Sequence, residues 1–147
     1  MNKDICSNNI IFIDILASLN LFNFQVLDRL MKNNYVNFLK HNELIKFKKN
    51  CIGSLSSLKN IMDQYKINLN WYEEKILKMI KGILLQIKNN IEETVLLVDQ
   101  ILKEIENNIL KNLMTKMFNY EKDLRLILNL LTEYIQVINN NVIDCFE

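Results

Sequence analysis

The side chains that most often carry chemistry are few in this chain and far apart. His41 is the only histidine, and the three cysteines, Cys6, Cys51 and Cys145, form no Cys-x-x-Cys pair. One histidine cannot supply the two Glu-x-x-His motifs of a di-iron bundle, and a Cys/His zinc site would need all four residues to converge. Cys51 and His41 are ten residues apart, a spacing that marks no nucleophile and base. Dispersed cysteines in odd number are typical of thiols in a reducing compartment, so we predict no metal, no cofactor and an intracellular location.

The motifs of known enzyme classes are incomplete. Ser56 and Lys59 match the Ser-x-x-Lys spacing of some serine acyl-transfer enzymes, but the sequence contains neither Ser-Asp-Asn nor Lys-Thr-Gly, the companion elements. The pairs Glu73-Glu74 and Glu92-Glu93 fall where helix N-termini are expected, and there the helix dipole stabilises carboxylates. We therefore assign no catalytic residue and predict that the protein is not an enzyme.

One cluster of lysines and aromatic residues lies between residues 38 and 49. Its basic members are Lys40, Lys46, Lys48 and Lys49. A weak nucleic-acid or membrane-surface binder acting through these lysines is one hypothesis. The net charge is only +1, from 18 basic and 17 acidic residues, so no whole-molecule field attracts polyanions. Lysines near the end of a solvated helix are the more ordinary interpretation, and we expect no nucleic-acid partner.

The elements that position these residues are predicted to be helices throughout. From Ile76 to Val142 an apolar residue recurs at an average spacing of about 3.7 residues, close to the 3.6 of an α-helix. The chain has no proline and neither an Asn-Gly nor an Asp-Gly hairpin turn. We predict an all-α bundle of five to seven helices, in a single domain over residues 1–147. The predicted helices are 9–32, 35–49, 54–66, 71–88, 91–117 and 120–143.

The boundaries between these helices rest on local stop and start signals. Gly53 followed by Ser54 indicates a break and a new cap, and Asn90 followed three residues later by Glu93 has the spacing of a capping box. A continuous helix over residues 71–143 is the alternative, but it would extend for ~100 Å and suits an oligomeric assembly better than a compact domain.

The overall composition is biased toward Ile, Asn, Lys and Leu, with a single alanine, Ala17, and two arginines. This bias is typical of an AT-rich genome, such as that of a parasite, an endosymbiont or a large DNA virus. No window approaches 18 uncharged apolar residues, so we predict no membrane-spanning helix.

In the C-terminal half, the predicted helices carry more apolar residues than the single stripe that packing on one neighbour would need. The stretch Leu124–Val142 is apolar over most of its circumference if it is helical, and we expect it to be the inner helix of the bundle or to hold a partner's helix. In the preceding predicted helix, 91–117, pairs of adjacent apolar residues likewise widen the apolar face. The residues predicted to contact a partner are Leu96, Leu97, Leu110, Met114, Leu126, Leu128, Leu130 and Val137. This pattern favours a helical interaction or scaffold protein that packs against itself or against a heterologous helix.

Asn70-Trp71, at the head of a long hydrophobic helix in an all-helical chain of this length, resembles the viral relatives of the B-cell-lymphoma apoptosis regulators. That family opens its central helix with Asn-Trp-Gly-Arg, and here Tyr72 and Glu73 stand in place of Gly and Arg. The resemblance covers these two residues and the chain length. It implies a virus- or parasite-encoded bundle whose groove captures an amphipathic host helix.

Overall fold

The computed structural model describes residues 9–32, 41–68, 74–106 and 115–142, and all of these are helical except Lys32, which lies in a turn. The helices are α1 (Asn9–Met31), α2 (His41–Asn68), α3 (Glu74–Glu106) and α4 (Thr115–Val137), and α4 continues into a π-helical segment, Ile138–Val142. No strand occurs in these ranges, so the all-α prediction is confirmed. The predicted number of helices is not confirmed, because the described ranges contain four α-helices rather than five to seven.

The break predicted at Gly53 is wrong, because α2 runs through it. Gly53 faces solvent, while Ser54 is fully buried and points into the bundle. Ser57 donates a hydrogen bond from Oγ to the Gly53 carbonyl oxygen (3.1 Å), within the same helix. A glycine costs a helix only ~1 kcal/mol relative to alanine, and the buried residues on either side outweigh that cost. The predicted helices 35–49 and 54–66 are therefore one helix from His41 onward, and residues 35–40 lie outside the described ranges.

The break predicted at Asn90 is also wrong. Asn90 is buried in the middle of α3, where its Nδ2 donates to Ser54 Oγ of α2 (3.0 Å) and its carbonyl oxygen accepts from Thr94 Oγ1 (3.1 Å). Glu93, the other residue of the predicted capping box, accepts at Oε1 a hydrogen bond from Asn89 Nδ2 (3.4 Å) along the surface of the same helix. The helix therefore continues through Asn90, whose buried side chain is satisfied by a partner on α2.

Successive helices are antiparallel, as pairs of contacts show. Between α1 and α2, residue 20 meets residue 51 and residue 28 meets residue 48. Between α2 and α3, residue 54 meets residue 90, and residues 43 to 47 lie near residues 93 to 100. Residues 29 and 22 of α1 meet residues 123 and 134 of α4. Arg125 donates to the carboxylate of Glu106, although these residues would be ~28 Å apart on one continuous helix. The alternative of a single helix over residues 71–143 is therefore excluded.

The innermost helix is α3, not the predicted 124–142 segment. Adjacent residues of α3 are both buried at several levels, as in Ile83-Leu84, Leu97-Val98 and Ile101-Leu102. A helix buried on two adjacent sides packs against more than one neighbour, and α3 packs on α1, α2 and α4. In contrast, α4 packs mainly on α3 and meets α1 only at its edge. Its buried apolar residues follow one stripe: Leu124, Ile127 and Leu131, continued by Ile138.

Among the helices so described, none is both long enough and apolar enough to cross a membrane.

Candidate functional site

The edge where α4 meets α1 is defined by one ion pair and one aromatic contact. The Arg29 guanidinium contacts Asp123 Oδ2 at 3.0 Å, and both side chains are more than half exposed. Two to three turns away, the rings of Phe22 and Tyr134 meet edge to face, with centroids 5.1 Å apart and planes at 81°. Asp123 and Tyr134 are eleven residues apart, close to three full turns, so they mark one side of α4.

An apolar strip runs along this side of α4. Leu126, Leu130 and Val137 are each three or four residues from Asp123 or Tyr134, and residues at that spacing share a helix face. Leu126 is 61% exposed and Val137 43% exposed, while Leu130 between them is half-buried. We refer to these three residues as the α4 strip. Its length, from residue 126 to residue 137, is ~16 Å, or about three turns of a helix laid beside it.

A cleft of about 320 Å³ opens between α1 and α4 near one end of the α4 strip. Asp14, Ile15, Ser18 and Leu19 line it from α1, and Tyr134 lines it from α4. Its walls combine apolar side chains with one exposed carboxylate and two hydroxyl groups, those of Ser18 and Tyr134. A cleft of this kind has room for one or two side chains of a docked helix.

A second cleft, of about 370 Å³, lies between α2 and α3. It is lined by Glu43, Lys46, Phe47, Glu93, Leu96, Leu97 and Gln100. Two of the predicted interface residues meet here, but with opposite orientations. Leu96 is 63% exposed, whereas Leu97 is only 1% exposed and belongs to the core of its own chain. Leu97 is therefore not available to a partner. The two leucines differ because adjacent residues on a helix point about 100° apart.

The other predicted interface residues divide in the same way. Leu126 and Val137 are exposed, Leu130 is half-buried, and Leu128 packs against the core from a partly buried position. Leu110 and Met114 lie outside the described ranges, as do Asn70 and Trp71, which carry the resemblance to the apoptosis regulators.

The predicted basic patch is not one surface. Lys48 turns toward α1, where its Nζ lies 2.8 Å from Asp28 Oδ1 and 5.1 Å from the centre of the Phe24 ring. Hydrogen bonds from Lys32 and from Lys48 lower the pKa of Asp28 from its ordinary value of 3.8 to about 2. Lys46 lines the α2–α3 cleft and Lys49 is exposed, whereas Lys40 is outside the described ranges. The reason is helical geometry, since residues 46 and 48 are 200° apart at about 100° per residue.

A second group of exposed apolar residues was not predicted from the sequence. Leu21 of α1 and Ile52 and Leu55 of α2 are each about half exposed. Leu21 and Ile52 directly follow Asn20 and Cys51, which are hydrogen bonded to each other, so they lie at the same level of the α1–α2 pair. No signal within a single helix identifies them, because the way that α1 and α2 pack decides which faces stay uncovered.

The centre of the bundle contains a polar layer. Asn20 and Asn23 of α1, Cys51 and Ser54 of α2, and Asn90 and Thr94 of α3 are all buried. Burial, as the main cause, raises the pKa of the Cys51 thiol to about 11, so little thiolate exists at neutral pH. His41 lies ten residues away on the same helix, which is ~15 Å along the axis. The hypothetical pair of nucleophile and base is therefore not assembled.

No grouping of three or more His, Cys, Asp or Glu side chains suited to a metal ion occurs within residues 13–32, 41–63, 78–106 and 121–140, where side chains are described. The absence of a metal or cofactor stays a prediction.

Comparison with known proteins assigns no family: no family model, no curated protein and no solved structure matches this chain.

Proposed function

We propose that this chain is a non-enzymatic interaction protein that binds an amphipathic helix of a partner chain along the α4 strip. The partner helix comes either from a second copy or from a heterologous protein. The observation that carries the proposal is the exposure of Leu126 and Val137 on the same side of α4, beside a cleft.

The spacing of the α4 strip supports a helical partner. Leu126, Leu130 and Val137 are separated by four and then seven residues, the spacing by which amphipathic helices present anchors to one another. Large apolar side chains that are more than 40% exposed and aligned on one side favour association, because covering them removes apolar surface from water.

The surroundings of the strip support one orientation of the partner helix. The cleft between α1 and α4 lies near Tyr134, and Asp14 at its margin is exposed. An apolar anchor of the partner would fill this cleft, and a basic residue one turn away would approach Asp14. The Arg29–Asp123 pair lies near the other end of the strip and is already neutralised.

The experiment replaces strip residues by aspartate. Leu126→Asp and Val137→Asp, singly and together, place a charge where an apolar partner face is expected. Matched controls are Asn129→Asp and Gln136→Asp, which add the same charge at exposed positions of the same helix. Sedimentation equilibrium of the purified chain detects self-association, and co-purification from the native source, followed by titration of the identified partner, detects a heterologous one.

The expected result is a loss of affinity of about tenfold or more for each strip variant, which corresponds to ~1.4 kcal/mol, with the controls near wild type. The proposal is rejected if the strip variants and the controls bind equally well. A chain that stays monomeric at all concentrations and co-purifies with nothing would also reject it.

A further inference from the structure

The polar layer at the centre of the bundle contains more hydrogen-bond acceptors than the described protein groups satisfy. Asn20 is 2% exposed and Asn23 is fully buried, yet the Oδ1 atom of each accepts no hydrogen bond from the described protein. Buried polar atoms are nearly always paired with a protein group or with ordered water, so each of these atoms requires a donor.

The orientation of the Asn20 amide is fixed by its neighbour. Its Nδ2 lies 2.8 Å from the backbone carbonyl oxygen of Cys51, which can only accept a hydrogen bond. Exchanging N and O would place two acceptors face to face. Oδ1 of Asn20 is therefore the atom without a partner, whichever way the amide of Asn23 is assigned.

The Asn23 amide also has one atom without a protein partner. Its Nδ2 lies 3.4 Å from Cys51 Sγ. The Cys51 thiol stays protonated at neutral pH because burial raises its pKa to about 11, so it is able to donate to Asn23 if the amide is rotated. One orientation leaves Oδ1 without a protein partner and the other leaves Nδ2 without one. Either atom is satisfied by a water molecule, which both donates and accepts.

Glu93 connects this layer to the surface. Its Oε1 accepts from the exposed Asn89 at 3.4 Å, whereas its Oε2 is buried and has no described donor. The same side chain lines the cleft between α2 and α3, and its charge acts on the Cys51 thiol. The Glu93 side chain thus lines the cleft and is near enough to Cys51 of the polar layer to act on its thiol.

We propose that ordered water molecules bind inside the bundle between α1, α2 and α3, donating hydrogen bonds to the side-chain oxygens of Asn20, Asn23 and Glu93. The α2–α3 cleft is the side from which this water exchanges with solvent. A buried water usually makes two to four hydrogen bonds, and these three acceptors lie on two of the helices, α1 and α3. This site is independent of the α4 strip.

A crystal structure of the full chain, at a resolution that shows ordered water, tests the proposal directly. We expect solvent density within hydrogen-bond distance of Asn20 Oδ1 and of the outward atom of the Asn23 amide. The proposal is overturned if both amides instead contact protein donors and acceptors with no density between the helices.

Magnetic relaxation dispersion of water oxygen-17 gives the corresponding measurement in solution, since it counts water molecules held long enough to rotate with the protein. The double variant Asn20→Leu with Asn23→Leu should hold at least one fewer such water than wild type. Asn60→Leu, at an exposed position of α2, should hold the same number as wild type. An unchanged count in a folded double variant contradicts the proposal. If the double variant does not fold, Asn23→Ser, which retains a hydroxyl acceptor, should keep the water, and the crystal structure of the wild type decides independently.

Discussion

The contact between Ser54 and Asn90 offers the sharpest test of how α2 and α3 pack. Both residues are buried, and Asn90 Nδ2 donates to Ser54 Oγ at 3.0 Å. Ser54→Ala leaves the Asn90 amide without its acceptor, and Asn90→Leu leaves the Ser54 hydroxyl beside an apolar group. A buried polar group that loses its partner costs ~1–3 kcal/mol, so each single variant should lower the free energy of unfolding by that amount.

The double variant, Ser54→Ala with Asn90→Leu, removes both polar groups together. Replacing both partners of a buried hydrogen bond by apolar groups is often neutral or stabilising, so we expect a free energy of unfolding within ~1 kcal/mol of wild type. The two single costs should therefore not add, and the coupling energy of the cycle should be ~1–3 kcal/mol. Urea unfolding followed by far-UV circular dichroism gives all four free energies, provided that the dependence on urea concentration is equal among the variants.

The same cycle distinguishes a continuous α3 from a helix that begins at Asn90. If Asn90 capped a helix start, its replacement would cost ~1 kcal/mol whatever residue occupied position 54, and the coupling would vanish. Ser57→Ala and Asn89→Leu are the control pair, since both residues lie near the tested pair and each donates its side-chain hydrogen bond within its own helix. Coupling below ~0.3 kcal/mol in the Ser54–Asn90 cycle would refute the α2–α3 register described above.

Three further predictions follow from particular side chains. Gly53→Ala and Gly82→Ala should each raise the free energy of unfolding by ~0.5–1 kcal/mol, because both glycines lie inside helices and an added Cβ meets no atom within 4 Å; thermal unfolding measures this, and a lower melting temperature would contradict it. The Cys51 thiol should react with a thiol reagent at neutral pH only when the chain unfolds, and rapid labelling of the native chain at this position would argue against its burial. The contribution of this thiol to stability should be complete below its ordinary pKa of 9.0 and should be lost as the pH rises toward about 11. Lys32→Ala should move the pKa of Asp28 upward from about 2 toward 3.8, as followed by NMR of the carboxyl carbon, because the Lys32 hydrogen bond contributes most to lowering it. The stabilisation that Asp28 provides is present above pH 3.8 and is lost as the pH falls toward about 2, and an unchanged titration in this variant would show that the ion pair is absent in solution.

Helical periodicity was sufficient to predict the fold class but not the helix ends. The apolar spacing around Ile80, Ile87, Ile91 and Val98 belongs to one helix, and it predicted helix correctly. The division at Asn90 was wrong because the same residue type that caps helices can also lie buried within one when a partner from another helix satisfies it. That partner, Ser54, is 36 residues away in the sequence. Local signals contain no information about such a contact.

The candidate site shows the same limit. The excess of apolar residues selected Leu126, Leu128, Leu130 and Val137 together, and Leu96, as interface residues. It did not separate the side of Leu126, Leu130 and Val137 from the partly buried Leu128. Spacing did not show which face α3 would cover, so the buried Leu97 was included with the exposed residues. The basic cluster was also overestimated, since contiguity in the sequence is not contiguity on a helix surface, and Lys48 pairs with Asp28 on α1.

The residues of α4 that fill the core are distinct from the residues of the α4 strip. Its buried stripe, which includes Leu124 and Leu131, is covered by the chain itself, whereas the α4 strip is displaced toward α1, with which α4 makes little contact. Leu126 is 61% exposed and Val137 43% exposed, so a partner that covers them would remove further apolar surface from water. The proposal therefore requires that Leu126→Asp leave the unfolding transition of the isolated chain nearly unchanged while weakening partner binding. Leu131→Asp, by contrast, should unfold the chain, because it buries a charge without a counter-charge in the core. If Leu126→Asp destabilised the isolated chain as much as Leu131→Asp, the strip would belong to the core and the binding function proposed for it would lose its basis.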